Sequence, residues 1–435
     1  MLKVHLLADK HVLDRVRGVA SNLGQVNTIS LEIIQQYQPL LRAYEKDDRL
    51  ILLHAEEERG TKAGENYMSV VLRTKVTGKR GDGSPYAKSF MRKKLLENSK
   101  YATFARNNEL FELEAYVYKN VLPLLGHFGP DCILAEPREI IMEDLRSRNF
   151  SIWPKREMQD FNHCVAAVQT LASLHASSLA LKLKSPEEFY RLTSHLTENV
   201  FPPDDKSAIG HFFEQSVLFA SASLDSIEAK TERVHRAINF LTSYKGRVAE
   251  SMRKLLLPQY DDERFWVITH GDTWNNNMMF LHDSTGNVVR VKLIDFQVMR
   301  HSSAALDLTY FLYSSAREEV LKNDMDTLIR TYEEYFMHDL RKLDAPERDL
   351  EALAKPGWFK RELTRYGLFG FLGALMVLHA IFMDESSAVE YEKNTAQEDF
   401  NPEEQSMKEI PLMPEKTERI LFVVDHFIQN FVEPK

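Results

Sequence analysis

Two short segments of the chain carry the residue types that phosphoryl transfer requires. The first, HGDTWNNN, runs from His270 to Asn277 and places a carboxylate, Asp272, five residues before the amide of Asn277. The second, LIDFQ, puts Asp295 at the end of an apolar run. Asp272 is suited to accept the proton of a hydroxyl group, and Asn277 and Asp295 offer the oxygen ligands that Mg²⁺ prefers. The pattern predicts magnesium-dependent transfer of a phosphoryl group from ATP to a small molecule.

A hairpin is expected to bring these groups together. Residues 264–270 (RFWVITH) and 288–295 (VVRVKLID) each read as an apolar strand on either side of the loop. His270 is expected to organise the turn rather than to act as a base, and Asp307 opens an apolar helix from which it could cap the loop backbone. Trp274 either lines the acceptor pocket or packs in the core. The other polar loop residues are predicted to be fillers: Thr273, Asn275 and Asn276.

The first third of the chain supplies the other side of an ATP site. A turn at residues 60–64, ending in Gly64, leads into a strand with β-branched residues, and glycine lets backbone N–H groups approach phosphate oxygens. On the next strand, residues 87–96, Lys93 or Lys94 could place an ammonium group against the α- and β-phosphates.

A helix is predicted next, over residues 104–121, with Pro123 ending it. A glutamate on such a helix can pair with the phosphate-binding lysine in kinases. Periodicity does not choose among the three candidates on this helix, which are Glu109, Glu112 and Glu114.

Two lobes are expected because 435 residues exceed what one compact core usually holds. Residues 1–55 are predicted to form a mostly helical layer, in which Pro39 ends or kinks the pattern. Two short strands, 132–135 and 139–142, lead into an acidic turn that resembles a hinge. The predicted domains are therefore 1–142, with the ATP-binding lobe, and 143–435, with the catalytic and metal-binding loops and the acceptor pocket.

Composition narrows the class of protein. The net charge of -9 and the pI near 6.0 argue against a broad nucleic-acid surface. The two cysteines, Cys132 and Cys164, show no metal-binding spacing, which predicts free thiols in a reducing, cytoplasmic compartment. No signal peptide is recognised at the N-terminus.

The apolar run at 366–383 is interpreted as a buried helix rather than a membrane span. A strong helix at 161–181 carries two histidines that are expected to pack, His163 and His175.

The sequence resembles the ecdysteroid kinase-like (choline-kinase-like) family, whose relatives include choline kinases and aminoglycoside phosphotransferases. The resemblance extends from about residue 60 to residue 315. The matching segments are GENYMS at 64–69, SFMRKKL at 89–95, Glu114 with Tyr118 and VLP at 121–123, IMEDL at 141–145, LASLHA at 171–176, HGDTWNNNMMF at 270–280, LIDFQ at 293–297 and Asp307 with Leu308.

This resemblance implies a two-lobed, protein-kinase-like α+β fold, with a small β-rich N-lobe and a larger, mostly helical C-lobe. It implies ATP and Mg²⁺ as cofactors and a small-molecule alcohol as acceptor, with a steroid-hormone hydroxyl as the family's named target. The implied roles are a phosphate-binding lysine with a glutamate partner (Lys93, Glu114), a base (Asp272), metal ligands (Asn277, Asp295), and backbone that receives adenine (Met142, Glu143, Leu145).

Two departures from the family pattern keep one assignment open. Arg92 stands where an aliphatic residue usually precedes the lysine, so Arg92, Lys93 or Lys94 could fill the phosphate-binding position. The proline that often closes this strand motif is absent. The alternative functions are a kinase directed at choline, an aminosugar or a xenobiotic, and a catalytically silent ligand-binding protein on the same fold. The oligomeric state is not indicated.

Overall fold

The computed structural model describes residues 28–61, 69–95, 106–202, 209–257, 262–383, 386 and 413–433. It confirms the predicted α+β class, with a β-sheet in the N-terminal region and mainly helices in the C-terminal region. The predicted phosphate-contacting glycine, Gly64, lies outside the described residues, as does most of the turn that contains it.

The N-terminal region is a five-stranded antiparallel sheet with helix α1 (Thr28–Glu45) beside it. The strands follow the order β1-β2-β3-β5-β4. Their bounds are β1 (Ile51–Arg59), β2 (Ser69–Lys79), β3 (Pro85–Leu95), β4 (Cys132–Glu136) and β5 (Glu139–Glu143). Tyr37 and Leu41 of α1 are fully buried in one cluster with Phe90 of β3, so this helix covers one face of the sheet.

Two predictions for this region are wrong in part. Residues 51–55 were expected to belong to the helical layer, yet they form the first part of β1, whose alternation is interrupted by an irregularity between Leu52 and His54. The irregularity hides the period of two that identifies a strand. The helical pattern was expected to end or kink at Pro39, and it does not end there, because α1 continues to Glu45. Burial of Tyr37 and Leu41 on either side stabilises the helix against the loss of one backbone hydrogen bond.

The predicted helix over 104–121 is found as helix α2 (Asn107–Tyr116), which continues as a π-helical segment, Val117–Val121. Pro123 does not end the helical structure. It occupies the N-terminal turn of a short helix, α3 (Leu122–Leu125), where its missing N–H needs no acceptor. The strands predicted at 132–135 and 139–142 are confirmed as β4 and β5.

The C-terminal region holds two small sheets among helices. One sheet has the order β6-β8-β9 and the other pairs β10 with β7. The strands are β6 (Phe150–Ile152), β7 (Val267–Thr269), β8 (Met278–His282), β9 (Val288–Leu293) and β10 (Arg300–Ser302). The helices are α4 (Phe161–Lys184), α5 (Pro186–Thr193), α6 (Ile209–Asp225), α7 (Glu232–Thr242), α8 (Val248–Leu255), α9 (Ala305–Ser315), α10 (Glu318–Lys342), α11 (Glu347–Leu353), α12 (Trp358–Phe382) and α13 (Pro414–Phe427). A π-helical segment, Ile428–Val432, follows α13.

Two helices reach the length and hydropathy of a membrane span within the described residues, namely α4 and α12. Their apolar windows are 61% and 78% buried inside the protein. Helix α12 contains the apolar run at 366–383 and packs closely on α9, because its glycines let the two backbones approach. The prediction of a buried helix is therefore confirmed for this run.

Candidate active site

Three charged residues from distant parts of the chain meet at one point. The ammonium Nζ of Lys93, on β3, lies 2.6 Å from Glu114 Oε2 on α2 and 2.8 Å from Asp295 Oδ1 after β9. Lys93 and Glu114 are buried, whereas the Asp295 side chain is 25% exposed. The structure thus brings together a lysine, a helix glutamate and a carboxylate that the sequence analysis had placed on the two sides of a cleft.

The electrostatics of this cluster follow from burial and charge pairing. Burial disfavours the ammonium form of Lys93, but the charges of Asp295 and Glu114 outweigh it and raise the pKa of Lys93. Burial raises the pKa of Glu114, and the positive charge of Lys93 only partly offsets that rise. Lys93 is therefore a permanent cation at neutral pH, held between two carboxyl groups.

The pleat of β3 separates the three basic residues that the sequence left as alternatives. Arg92 is directed away from Lys93: it pairs with Glu139 and Glu57, and its guanidinium lies over the ring of Tyr37 at 5.5 Å. Lys94 shares the Arg92 face, because alternate residues of a strand project to the same side. Lys93 is the basic residue of this strand that contacts Glu114 and Asp295.

The hairpin predicted from strands 264–270 and 288–295 is wrong, because Val267–Thr269 pairs with β10 and Val288–Leu293 pairs with β8. The hairpin that forms, β8 with β9, places the second group of residues. Strands β8 and β9 pair with Met278 opposite Leu293, and the Ile294 N–H donates to the Asn277 carbonyl at 3.0 Å. The Asn277 side-chain Nδ2 donates to Asp272 twice, at 2.9 Å to the backbone carbonyl and at 2.7 Å to Oδ2. Asp272 and Asn277 are thus neighbours at the loop, and Asp295 is at the end of the return strand.

Asp272 has an unusual environment for a carboxylate. Burial and the nearby negative charge of Asp295 raise its pKa above the ordinary value, while hydrogen bonds from Tyr310 and Asn277 act in the opposite direction. A carboxyl group with a raised pKa is a stronger proton acceptor than an exposed one. The arrangement suits a base that takes a proton from a hydroxyl group.

Each of the two acidic turns contains a residue with a positive backbone φ angle. Asp295 is a non-glycine residue with a positive φ of 67°. Gly271, immediately before Asp272, has a φ of 86°, and a Cβ atom there would collide with the carbonyl of Val298. Strained conformations of this kind persist where the surrounding structure holds them, which is frequent at functional sites.

Asp307 holds the loop from helix α9. Its carboxylate accepts the backbone N–H groups of His270 and Gly271 at 2.6 and 2.8 Å, which confirms the predicted capping role. The Nε2 atom of His175 lies 3.0 Å from Asp307 Oδ2, and its Nδ1 atom is hydrogen-bonded to the hydroxyl of Tyr332. Burial alone would raise the pKa of Asp307, but the His175 contact and the N–H donors lower it. Asp307 is consequently an ionised cap.

The predicted turn-organising role of His270 is confirmed, since its ring joins the Ile294 carbonyl at 3.0 Å and the Asp272 N–H at 3.3 Å. The prediction of a filler role is wrong for Thr273 and Asn275. The Thr273 hydroxyl donates to the Asp307 carbonyl at 2.7 Å, and the Asn275 side chain bonds Gln159 and Trp153 while its backbone N–H donates to Ser315. These contacts attach the loop to its surroundings.

A cavity of about 390 Å³ lies beside both residue groups. Its lining combines apolar and charged side chains, which is usual for a small-molecule site. The lining includes Gly60, Val71, Met91, Lys93, Glu114, Met142, Glu143, Leu145, Asn277, Met279, Ile294 and Asp295.

The segment predicted as a hinge borders this cavity. The Glu143 N–H is already donated to the Asp131 carbonyl at 2.8 Å. Leu145 is the first residue of a 3₁₀ helix, Leu145–Arg148, so its N–H has no acceptor within that helix. Asp144, which the sequence analysis did not single out, is bound by Arg73 and Ser89 of the N-terminal sheet at 2.6 and 2.7 Å.

The donor set fits a cation that also binds phosphate oxygens. Within the described ranges no group of three or more His, Cys, Asp or Glu side chains could hold a metal by itself. Asn277 uses its NH₂ group on Asp272, which leaves its amide oxygen for another partner, and Asp295 uses Oδ1 on Lys93. An amide and a carboxylate oxygen are appropriate for Mg²⁺ when ATP supplies further ligands.

Tyr310 is the contact to Asp272 that sequence reasoning missed. Its hydroxyl donates to Asp272 Oδ1 at 2.8 Å, across 38 positions of the chain. A tyrosine on an apolar helix gives no signal of such a role, and only its spacing one turn after Asp307 could have indicated it.

Comparison with known proteins places the chain in a family. The solved structure of the apoenzyme of macrolide 2'-phosphotransferase MphH from Brachybacterium faecium is similar, with a TM-score of 0.37 and 13% identity, over 83% of this chain and 98% of that one. No curated protein matches the sequence. The family model described as "Ecdysteroid kinase-like family" matches residues 63–345, well over half of the chain. The protein belongs to the ecdysteroid kinase-like family.

Proposed function

We propose that this protein is an ATP-dependent O-phosphotransferase that phosphorylates a hydroxyl group of a small molecule. The observation that carries the proposal is the contact of Lys93 with both Glu114 and Asp295 beside a cavity that Asn277 also lines, with Asn277 bonded to Asp272. A fixed cation, two oxygen donors for magnesium and a base are the parts that phosphoryl transfer needs.

Each part of ATP has a place in this proposal. Adenine enters the cavity and bonds the hinge through the Leu145 N–H, because the Glu143 N–H is already donated to Asp131. The α- and β-phosphates meet the ammonium group of Lys93, which Glu114 orients. Asn277 and Asp295 would hold Mg²⁺, which neutralises charge on the β- and γ-phosphates when bound.

Asp272 acts on the acceptor. Its carboxylate orients the acceptor hydroxyl and takes its proton while the hydroxyl oxygen bonds to the γ-phosphorus. The bond between the γ-phosphorus and the bridging oxygen breaks, and ADP leaves with the electron pair. The raised pKa of Asp272 favours proton acceptance, and the donors Tyr310 and Asn277 keep the group ionised beforehand.

The acceptor class and location are further proposals. The family's name supports a steroid-like alcohol, an ecdysteroid among the candidates. A cytoplasmic location is supported by Cys132 and Cys164, which are both free thiols. Burial raises the pKa of Cys132 to about 12, so this thiol resists conversion to the reactive thiolate.

The test is a mass-spectrometric screen for an added phosphate. The purified protein is incubated with Mg-ATP and a panel of ecdysteroids, choline and plant alcohols, with Asp272→Asn as the inactive control. Phosphorylation of a steroid or plant alcohol by wild type alone supports the proposal, and phosphorylation of choline alone would assign the choline-directed alternative. Absence of Mg-ATP binding in calorimetry would overturn the kinase proposal in favour of a silent ligand-binding protein.

A further inference from the structure

The side chain of Asp272 is fixed at both of its oxygens. Tyr310 donates its hydroxyl to Oδ1 at 2.8 Å, and Asn277 donates Nδ2 to Oδ2 at 2.7 Å. Tyr310 is itself only 6% exposed. Each carboxylate oxygen keeps a second lone-pair direction for an acceptor hydroxyl. Asn277 already has a proposed role at the metal, whereas Tyr310 has none.

We propose that Tyr310 is a positioning residue that holds Asp272 in the orientation that a base requires, and that Gly373 sets the position of Tyr310. The inference rests on the proposed function, in which Asp272 is the base. It assigns a role to helices α9 and α12, whose residues do not line the cavity beside Lys93.

One turn of helix α9 controls both the backbone and the side chain of the catalytic loop. Asp307 binds the N–H groups of His270 and Gly271, and Tyr310, three residues later, binds the carboxylate of Asp272. Residues three apart lie on the same face of a helix. A displacement of α9 would therefore move both contacts together.

Helix α12 positions the Tyr310 ring through two glycines. A Cβ atom at Gly373 would lie 2.8 Å from Tyr310 Cε2 and 2.9 Å from Cδ2, and one at Gly370 would collide with the Tyr310 backbone nitrogen. Real Cβ atoms do not approach so closely, so a larger residue at Gly373 requires the ring to shift. Because the hydroxyl is at the far end of that ring, the shift moves it away from Asp272.

Neighbouring charges and hydrogen bonds shift the pKa values of both Asp272 and Tyr310. Asp295 raises the pKa of Asp272, while the hydroxyl of Tyr310, the ring of His270 and the amide of Asn277 lower it. Burial and the negative charge of Asp272 raise the pKa of Tyr310 well above its ordinary value, against the opposing charge of Arg300. Tyr310 thus stays a neutral donor, and its removal leaves Asp272 easier to protonate.

The experiment compares Tyr310→Phe with Tyr313→Phe. Tyr313 lies on the same helix, is fully buried, and bonds His426 at 3.0 Å instead of Asp272, so it is a matched control. We expect Tyr310→Phe to lower kcat by about 10- to 100-fold, from the usual value of a hydrogen bond to a charged group. The Kd for Mg-ATP and the KM for the acceptor should stay within about twofold, because the contact orients the base and touches neither substrate.

Gly373→Ala should reproduce part of this loss of kcat, and the double variant Tyr310→Phe/Gly373→Ala should lose no more kcat than Tyr310→Phe alone. An unchanged kcat in Tyr310→Phe, or an equal loss in Tyr313→Phe, overturns the positioning role. An additional loss in the double variant overturns the assignment of Gly373 to Tyr310.

A second measurement separates this inference from the proposed function. The unfolding equilibrium is measured by urea for wild type, Tyr310→Phe, Asp272→Asn and the double variant at pH 8. We expect the two substitutions to be coupled by tenfold or more in the unfolding constant. Coupling without phosphate transfer to any acceptor would overturn the proposed function alone, and no coupling would overturn the Tyr310 inference.

Discussion

The two halves of the site hold their key side chains by different means. Lys93 is fixed by charge, between the carboxyl groups of Glu114 and Asp295. Asp272 is fixed by neutral donors, the hydroxyl of Tyr310 and the amide of Asn277. Lys93 is buried, whereas Asp272 is only partly buried.

The contrast fits the roles proposed for the two halves. A phosphate-binding cation must keep its charge at all times, and two carboxyl groups ensure this. A base must change its protonation during the reaction, and a formal positive charge beside it would lower its pKa too far. Neutral donors orient Asp272 while leaving its proton affinity adjustable. Five substitutions test this comparison.

The largest effects on kcat and on Mg-ATP affinity are expected from two Asp→Asn substitutions, each of which removes one carboxylate charge. Asp272→Asn should lower kcat by about 10³-fold and leave the Kd for Mg-ATP within about threefold, because it removes the base only. Asp295→Asn should weaken Mg-ATP by about a hundredfold, since it removes a charged contact worth about 2–3 kcal/mol. Calorimetry and kcat measurements distinguish them. Equal losses of Mg-ATP affinity would show that the two carboxylates do not have separate tasks.

Removal of the central cation should mainly reduce stability. Lys93→Met leaves Glu114 buried without its partner, so we expect the free energy of unfolding to fall by about 3–5 kcal/mol at pH 8. The folded-state pKa of Glu114 is raised. Its protonated form therefore stabilises the fold fully below the unfolded pKa near 4.3, and this contribution disappears as pH rises through the folded pKa.

Urea unfolding of Lys93→Met at pH 5 and pH 8 checks this sign, with the greater loss expected at pH 8. The double variant Lys93→Met/Glu114→Gln is the matched control and should recover most of the lost stability. A double variant as unstable as Lys93→Met would indicate that packing, rather than the unpaired carboxyl group, causes the loss.

Asp307→Asn tests the cap that supports the base. The substitution should lower the free energy of unfolding by about 2–3 kcal/mol at pH 7, because it weakens two hydrogen bonds from backbone N–H groups and the hydrogen bond from His175. The pKa of Asp307 is lowered in the folded state, so its stabilising contribution is complete above the unfolded pKa of about 3.9 and is lost as pH falls further. The difference from wild type should shrink below about pH 4. Asp326→Asn, at an exposed position of α10, should show no such dependence.

The smallest effect is expected at the neighbouring lysine. Lys94→Met should change the free energy of unfolding by less than about 0.5 kcal/mol and the Kd for Mg-ATP by less than about twofold, since Lys94 does not line the cavity. Calorimetry measures the Kd. A loss of affinity comparable with that of Lys93→Met would assign the phosphate contact to a different position of β3.

Much of the fold could be predicted because local signals agreed. The helix at 161–181 and the strands at 132–135 and 139–142 have strong patterns, and all three are found. Strand β1 was missed because an irregularity breaks its alternation. The helix through Pro39 was misjudged because burial against the sheet, which a local pattern does not contain, outweighs one missing hydrogen bond.

The candidate site, like the fold, could be predicted only in part from the sequence. Asp272, Asn277 and Asp295 could be identified together, because the loop and the return strand are adjacent in the chain, whereas Lys93 and Glu114 were assigned only by the family resemblance. The roles of these residues, the domain boundary near 143 and the cytoplasmic location stay predictions. The loop-supporting contacts of Asn275 and Thr273 were not readable, since their partners are distant in sequence.

The sequence by itself determined the family, the α+β class and the candidate base and metal ligands, because those depend on residue types at fixed short spacings. Only the tertiary structure decided that Lys93, and not Arg92 or Lys94, meets Glu114, since that choice depends on which face of β3 turns toward the cleft. It alone revealed Tyr310 beside Asp272. That contact exists because glycines of α12 let α9 approach, and such packing between distant helices leaves no local mark in a sequence.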